Sequence, residues 1–478
     1  MRSKRYLRRQ RPNARQFFLT VHPYIPNSVP EIKRKMLDEL GLNDVESLFQ
    51  VIPDRLRFKG SLGLPKAASE LEMRRRVEAI LSKNKSSGEL RSFVGGGCWQ
   101  HWVPAACDEI NGRSEFLTAY AGDAYSDLGR YQAIFEFQSM IGELVDMDAV
   151  MFPLYDWPTA SGDAIRMAVT VTGRSEVLYA KSLSPERLSI MKSLSGSIAN
   201  FRPIDYDPAT GRVDIDSLKR SVSDRTAAVY LENPNYLGPL ESECDDIAKI
   251  AHGRGALFIV GAEPLSLGIV TPPGEYGADI VTGEGQPLGI HPYYGGALMG
   301  FLAFRDEEKF ANATGHRLIT ITETEHEGEH GFTQILPERT MYAARDRSVT
   351  LTGTATALWA ITAATYLSLL GPDGIKELAT TIMQKATYAQ KKLSEIPEIK
   401  APIFQSPHFQ EFTVKFDSTG KTAGVVNRSL LEHGIQGGKP LHDEFPALGN
   451  AALYCVTEVH TKSDIDDLAF GIKEAIST

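Results

Sequence analysis

Ala227-Ala-Val-Tyr-Leu231, Glu243-Cys-Asp-Asp-Ile-Ala-Lys-Ile-Ala-His252, Ala256-Leu-Phe-Ile-Val260 and Asp279-Ile-Val-Thr282 follow one another in this order. The first, third and fourth are short apolar runs rich in β-branched and aromatic side chains, and the second reads as a helix. Strands separated by helices need crossover connections, which give a mostly parallel sheet covered on both faces. Working outward, Glu176–Ala180 and Ala297–Phe304 read as further strands. Tyr131–Val145 reads as a helix with Ile134, Phe135, Ile141 and Leu144 along one stripe, and Asp156–Thr172 reads as another. The expectation is a large α/β domain over residues 91–350.

The flanks differ in character. Ser28-Val-Pro-Glu31 opens a helix with Pro30 in its first turn, and Ile32, Met36, Leu37 and Leu40 recur at helical spacing before Gly41. Ser69-Glu-Leu-Glu72 is a capping-box pattern, followed by Met73, Val77, Ile80 and Leu81 on one face. These place a helical region over residues 21–90. After residue 350 an apolar helix reaches Gly371-Pro372, and a polar-faced one runs from Ile375 to about Leu393. Strand Glu411–Phe416, helix Gly424–His433, strand Ala452–Val456 and helix Ser463–Ile476 then complete a small α+β domain within residues 351–478.

Composition narrows the function. The 478 residues are 42% hydrophobic and 23% charged, which suits globular domains and excludes wholesale disorder. A net charge of −9 gives no electrostatic case for a nucleic-acid partner. Four cysteines (Cys98, Cys107, Cys244 and Cys455) cannot make a disulfide framework in so long a chain, which points to a reducing, cytoplasmic setting. The most apolar run, Ala355 to Leu370, is interrupted by threonines and a serine and reads as a buried helix, not a membrane span. Residues 1–20 carry seven basic side chains and no acidic one, and read as a solvated extension.

Several motifs offer chemistry that their context withdraws. His326-Glu-Gly-Glu-His330 matches the zincin pattern, but that chemistry needs one rigid helix, and no apolar stripe anchors one here. Cys98-Trp-Gln-His101 with Cys107 lacks a second ligand pair, so no metal site is expected. Gly95-Gly-Gly97 fits either a close approach to a ligand or a tight turn. The stretch from Phe93 to Ala160 is the most informative. Trp99, His101, Trp102, Tyr155, Asp156 and Trp157 cluster there in loop-like sequence, which suits the wall of a site.

Pro23-Tyr-Ile-Pro-Asn27, Ser69-Glu-Leu-Glu-Met-Arg-Arg75, Gln132-Ala-Ile-Phe-Glu-Phe-Gln138, Pro264-Leu-Ser-Leu-Gly268, Pro272-Pro-Gly-Glu-Tyr-Gly-Ala-Asp279, Gly283-Glu-Gly-Gln-Pro-Leu-Gly289 and Val456-Thr-Glu458 carry a resemblance. Over residues 22–476 the chain resembles subunit 1 of the two-subunit glycine decarboxylase, the P-protein of the glycine cleavage system. The resemblance implies a pyridoxal-phosphate (PLP) transferase fold of type I, with a mostly parallel large domain and a small C-terminal domain. It also implies that PLP is held by a lysine of subunit 2, in an α2β2 heterotetramer. The complex would decarboxylate glycine and pass the aminomethyl group to the lipoyl arm of H-protein, which binds transiently.

The residues agree that this chain holds no Schiff-base lysine. A core strand leads to Glu263, the place of the acid that pairs with the pyridine nitrogen, and no lysine occurs between Lys249 and Lys309. The expected lysine region reads Gly285-Gln286-Pro287. Motifs around the implied site depart from the family: Cys98-Trp99-Gln100-His101-Trp102, Tyr120 to Arg130, Tyr155-Asp-Trp157-Pro-Thr159, and Glu338 to Arg347. The residues expected to line the shared cavity are Trp99, His101, Tyr155, Asp156, Glu284, Gln286, Arg345 and Arg347. New indoles there leave two other readings open: a complex acting on a larger or N-substituted amino acid, and a non-catalytic scaffold subunit.

Overall fold

The computed structural model describes residue 21 and residues 24–60, 63–116, 129–293, 298–348 and 356–477. The basic extension over residues 1–20, the rewritten motif at 120–128 and the start of the run at Ala297 lie outside them. The chain divides into two compact units, residues 1–84 and 85–478.

In the first unit, helix α1 (Pro30–Glu39) starts with Pro30 at its first position. Helix α2 (Glu70–Leu81) carries the full capping box. The Glu72 N–H donates to Ser69 Oγ at 3.3 Å, and the Ser69 N–H donates to Glu72 Oε2 at 2.9 Å. Both helices sit where the spacing puts them, but their stripes are not covered. Leu37 is the single buried apolar residue among the described residues of this unit, and Met73, Val77, Ile80 and Leu81 are all exposed.

The second unit is built on a seven-stranded sheet: β1 (Ala149–Val150), β2 (Glu176–Ala180), β3 (Asn200–Ile204), β4 (Thr226–Asn233), β5 (Leu257–Ala262), β6 (Ile280–Glu284) and β7 (Gly300–Phe304). Their spatial order is β1-β7-β6-β5-β4-β2-β3. Five strands run parallel, with Val229 beside Phe258 and Ile259 beside Ile280, and β7 lies antiparallel between β6 and β1. Every residue of β4, β5 and β6 is buried, the reason these strands read as continuous apolar runs and not as alternation. On one face Val229, Phe258 and Val281 pack with Ile134, Phe137 and Ile141 of α3 (Tyr131–Val145). On the other, Tyr230, Ile259 and Ile280 pack with Ala164, Ile165 and Met167 of α4 (Trp157–Thr172). Helices α5 (Pro185–Ser195), α6 (Ile215–Ser221) and α7 (Cys244–His252) occupy the crossovers.

Strands β8 (Leu318–Glu323) and β9 (His330–Ile335) form an antiparallel hairpin with Glu323 opposite His330. The zincin-like motif is its tip, where the Glu329 N–H donates to the His326 carbonyl at 3.1 Å. The two imidazoles therefore do not share a helix face. Helix α8 (Ala357–Ser394) is broken at Gly371, whose φ of 61° and ψ of −178° are non-helical, and Pro372 follows.

The C-terminal part sets β10 (Glu411–Lys415), α9 (Ala423–Glu432), β11 (Lys439–Pro440), β12 (Ala451–Cys455) and α10 (Lys462–Ser477) around its own core. Phe412, Val414 and Tyr454 of the three-stranded sheet pack there with Leu430, Leu468 and Ile472. Residues 91–94 also join this part in space. Arg91–Ser92 pairs with Ile435–Gln436, and the Cys455 N–H donates to the Phe93 carbonyl at 2.9 Å. The glycine run after Phe93 is thereby carried from the small sheet towards the large one.

Candidate functional site

Open parallel sheets bind ligands beyond the carboxyl ends of their strands. Here β4 ends at Glu232-Asn233, β5 is followed by Glu263, and β6 ends at Glu284. The start of α4, the segment 95–101 and the first residue of β10 face these ends.

Glu284 ties three elements together. Its Oε1 accepts from the N–H groups of Gln286 (3.1 Å) and Met299 (2.9 Å), and its Oε2 accepts from the Trp157 N–H (3.2 Å). Asp156 caps the same helix by accepting from the Thr159 N–H at 2.8 Å. The N-terminus of α4 thus already carries two carboxylates, where a helix start at a sheet edge otherwise suits a phosphate. Gln286 holds the loop opposite. Its Oε1 accepts from the Trp99 N–H at 3.1 Å, and its Nε2 donates to the carbonyls of Trp99 (3.1 Å) and Ile290 (2.8 Å).

Indoles fill the space between. Trp99, Trp157 and Cys455 form one buried cluster. The Trp157 ring packs against Gly261, where an added Cβ would come within 2.7 Å of it. Arg187 of α5 stacks over that ring, 4.1 Å from its centroid. The same guanidinium grips Glu232 through two bonds of 2.5 and 2.7 Å. Burial works against its charge, and the Glu232 carboxylate outweighs burial and raises its pKa.

The glycine triplet resolves as a close approach to protein. The Gly96 N–H donates to Glu411 Oε1 at 2.6 Å, and a Cβ at Gly95 would stand 2.3 Å from that oxygen. His101 is buried with Nδ1 2.8 Å from Glu458 Oε2, and Glu458 Oε1 accepts from the Trp102 N–H at 2.6 Å. Although burial acts to raise the Glu458 carboxyl, His101 and the Trp102 N–H hold it below its ordinary range. Burial pushes Glu284 up to about 8 and Glu263 to about 7, and it also raises Glu411.

The structure therefore brings Trp99, Asp156, Glu284 and Gln286 together, and seats His101 beside them. Tyr155 precedes the cap and is partly exposed. Arg345 is exposed at a φ of 47° on the segment after Met341–Ala344, and the Arg347 side chain lies outside the described residues. Sequence reasoning missed Arg187, Glu232 and Glu411. A carboxylate that ends an apolar parallel strand is the signal that marks Glu232. Arg187 and Glu411 stand at no motif, because long-range packing alone delivers them.

The remaining cavity has a volume of about 10 Å³ and is lined by Trp99, Trp157, Arg187, Tyr236, Glu263 and Glu411 among others. That is room for about one water molecule, against the several hundred Å³ of a cofactor pocket. PLP does not fit this chain. No amine stands at Gln286, and the helix start is capped by carboxylates. Glu263 is committed to the N–H groups of Leu265 (3.2 Å) and Ser266 (2.7 Å). Both indoles are buried in this chain.

Relatives match most of this chain's length. A probable glycine dehydrogenase (decarboxylating) subunit 1 of Staphylothermus marinus is 39% identical over 465 residues, covering 95% of this chain and 98% of that one. The corresponding protein of Aeropyrum pernix is 37% identical, covering 93% and 97%. Among solved structures, the inhibitor-bound glycine decarboxylase (P-protein) of the glycine cleavage system superposes with a TM-score of 0.83 at 32% identity, covering 95% of this chain and 100% of that one. A glutamate decarboxylase of Lactobacillus brevis, at 13% identity and a TM-score of 0.65, shares the fold alone. The architecture is the PLP-dependent transferase fold of type I, as the resemblance implied. The family model for the glycine cleavage system P-protein matches residues 22–470, and the chain belongs to that family.

Proposed function

We propose that this chain is the lysine-free subunit of a heteromeric glycine decarboxylase. Its companion subunit carries PLP, and the aminomethyl group passes to the lipoyl arm of H-protein. The observation that supports this reading is a type I fold in which Trp157, Gln286 and two capping carboxyl groups fill the space beyond the strand ends. The chain's contribution is structural complementation of a site built on the companion, in an α2β2 assembly of the cytoplasm. No helix among the described residues is long and apolar enough to cross a membrane, which agrees with this setting. The buried indoles favour glycine over a larger substrate.

Reconstitution tests the proposal. The isolated chain is expected to show no internal-aldimine absorbance and no glycine decarboxylation. Mixing with a lysine-bearing companion is expected to yield both, with glycine preferred over alanine, serine and sarcosine by about a hundredfold or more. Borohydride trapping of PLP on this chain at the expected site, or an equal rate with the companion alone, overturns it.

A further inference from the structure

A second cavity lies at the end of the sheet opposite Glu284. Strand β7 runs antiparallel to β6, with Phe304 beside Ile280, so the residues after it stand at the strand starts, away from the site described above. There α3, the turn into β1, Asp306 and the root of the β8–β9 hairpin enclose about 560 Å³. That volume is in the range of small-molecule sites.

Its rim is acidic. Glu143 of α3, Asp146, Asp148 and Asp306 line the cavity, and among the described residues no lysine, arginine or histidine does. Asp146 stands 3.9 Å from Arg305, whose guanidinium is also held by the carbonyls of Asp146 and Gly274. Asp148 Oδ2 accepts from the Asp306 N–H at 3.0 Å, and among the described residues Glu143, Asp148 and Asp306 make no ion pair. The floor is apolar, built on buried Met147, Val150, Leu318 and Ile319. Helix α3 sets one polar side chain into that floor, Gln138, which is 7% exposed. Its Nε2 donates to the Val150 carbonyl, and its Oε1 has no hydrogen-bond partner. A buried acceptor left unmade is costly, and it calls for an N–H or O–H from outside the chain.

These features select an occupant. Four carboxylates call for positive charge, but no group of acids, histidines or cysteines among the described residues is placed to hold a metal ion. The charge is therefore wanted along an extended molecule, and a monoamine answers one carboxylate of the four. The floor suits methylene groups between the charges. We propose that this cavity binds an aliphatic polyamine, its ammonium groups on Glu143, Asp146, Asp148 and Asp306 and its methylenes on Leu318 and Ile319. An N–H at the floor supplies the donor that Gln138 Oε1 lacks. Lysine side chains of another protein carry the same ammonium chemistry, and a tetralysine arm separates the two sources.

Titration calorimetry on the full chain at low salt uses spermine, with butylamine, magnesium and tetralysine beside it. Expected is saturable one-to-one binding of spermine, about tenfold or more tighter than butylamine or magnesium, weakening as salt is raised. Spermine is also expected to raise the melting temperature, because it binds the folded chain. The double variant E143Q/D306N, at two exposed positions, is expected to lose about tenfold or more in affinity. E398Q/E432Q, which removes the same charge outside the cavity, is expected to lose none. Gln138→Met is expected to weaken binding by about threefold or more. Equal losses in the two double variants assign the binding to diffuse negative charge and overturn the site. So do magnesium binding as tightly as spermine, full affinity in folded Gln138→Met, and tetralysine binding where spermine does not. None of these measurements involves a companion subunit, so their outcome is independent of the function proposed above.

Discussion

At the residue scale the decisive pair is Trp157 and Gln286. Lysine at 286 would restore the amine of a PLP enzyme, but the indole against Gly261 and the carboxylates on the helix start would remain. Gln286→Lys incubated with PLP and reduced with borohydride is therefore expected to give no pyridoxyl adduct at position 286 by peptide mapping. An adduct there would mean that the pocket opens. The Arg187–Glu232 pair, with both side chains almost wholly buried, makes a second case. Arg187→Met strands a buried carboxylate and is expected to cost about 3–5 kcal/mol, read from denaturant unfolding. Replacing both partners by apolar residues should recover much of that loss, so the double-mutant cycle is strongly non-additive. The absence of the lysine was legible in the sequence, and so were Glu284, Gln286 and Trp99 as a group. What occupies the vacated space was not, because it depends on Arg187 and Glu411, distant in the chain from Trp157.

At the scale of elements, local patterning carried most of the reading. The helix over 131–145 has the bounds its spacing predicts and buries Ile134 and Ile141 of the stripe, and the helix read from Asp156 starts one residue later, with Asp156 as its cap. Strands β4, β5 and β6 each extend two residues past the C-terminal end of their apolar runs, and in β4 and β6 the added polar ends Glu232, Asn233 and Glu284 are buried by the site. Strand β3 was not legible. Asn200-Phe-Arg-Pro-Ile204 lies at the sheet edge with three exposed residues, and proline is tolerated there because the edge N–H has no ladder partner. The break between the two halves of α8 was legible from Gly371-Pro372, and it yields a prediction. At Gly371 a Cβ meets nothing within 4 Å, so the cost of Gly371→Ala is conformational alone. A φ of 61° with ψ near 180° is open to glycine, and alanine is expected to destabilise the chain by about 1–3 kcal/mol. Thermal unfolding measures it, and an unchanged midpoint would show that the kink straightens.

For the whole molecule, the buried acids at the strand ends set a pH dependence of defined sign. Glu284, raised by burial to about 8, and Glu263, raised to about 7, bind protons more tightly folded than unfolded. Their contribution to stability is complete below the unfolded carboxylate range and is lost as pH rises through those two values. Buried His408, lowered to about 4 by desolvation, acts in the opposite sense and penalises folding only below about pH 6.5. Between about pH 6.5 and 8.5 the melting temperature should therefore fall, and Glu284→Gln should flatten the slope. A flat wild-type profile would show that both carboxyls are ionised in the fold. The change of pattern near residue 350 does not mark the division between compact units, which falls at residue 84. The attachment of residues 91–94 to the C-terminal sheet was not legible either, since pairing across more than 340 residues leaves no local trace.

The indole lying on Gly261 also acts as an evolutionary ratchet. A change at Gln286 alone supplies an amine with nowhere for a cofactor to sit, and a smaller residue at 157 alone opens a void without supplying one. Each single step back is silent or harmful, and only their combination, with the capping carboxylates also removed, would be rewarded. With PLP on the companion as proposed, descendants of this chain would be held to dependence on that second gene.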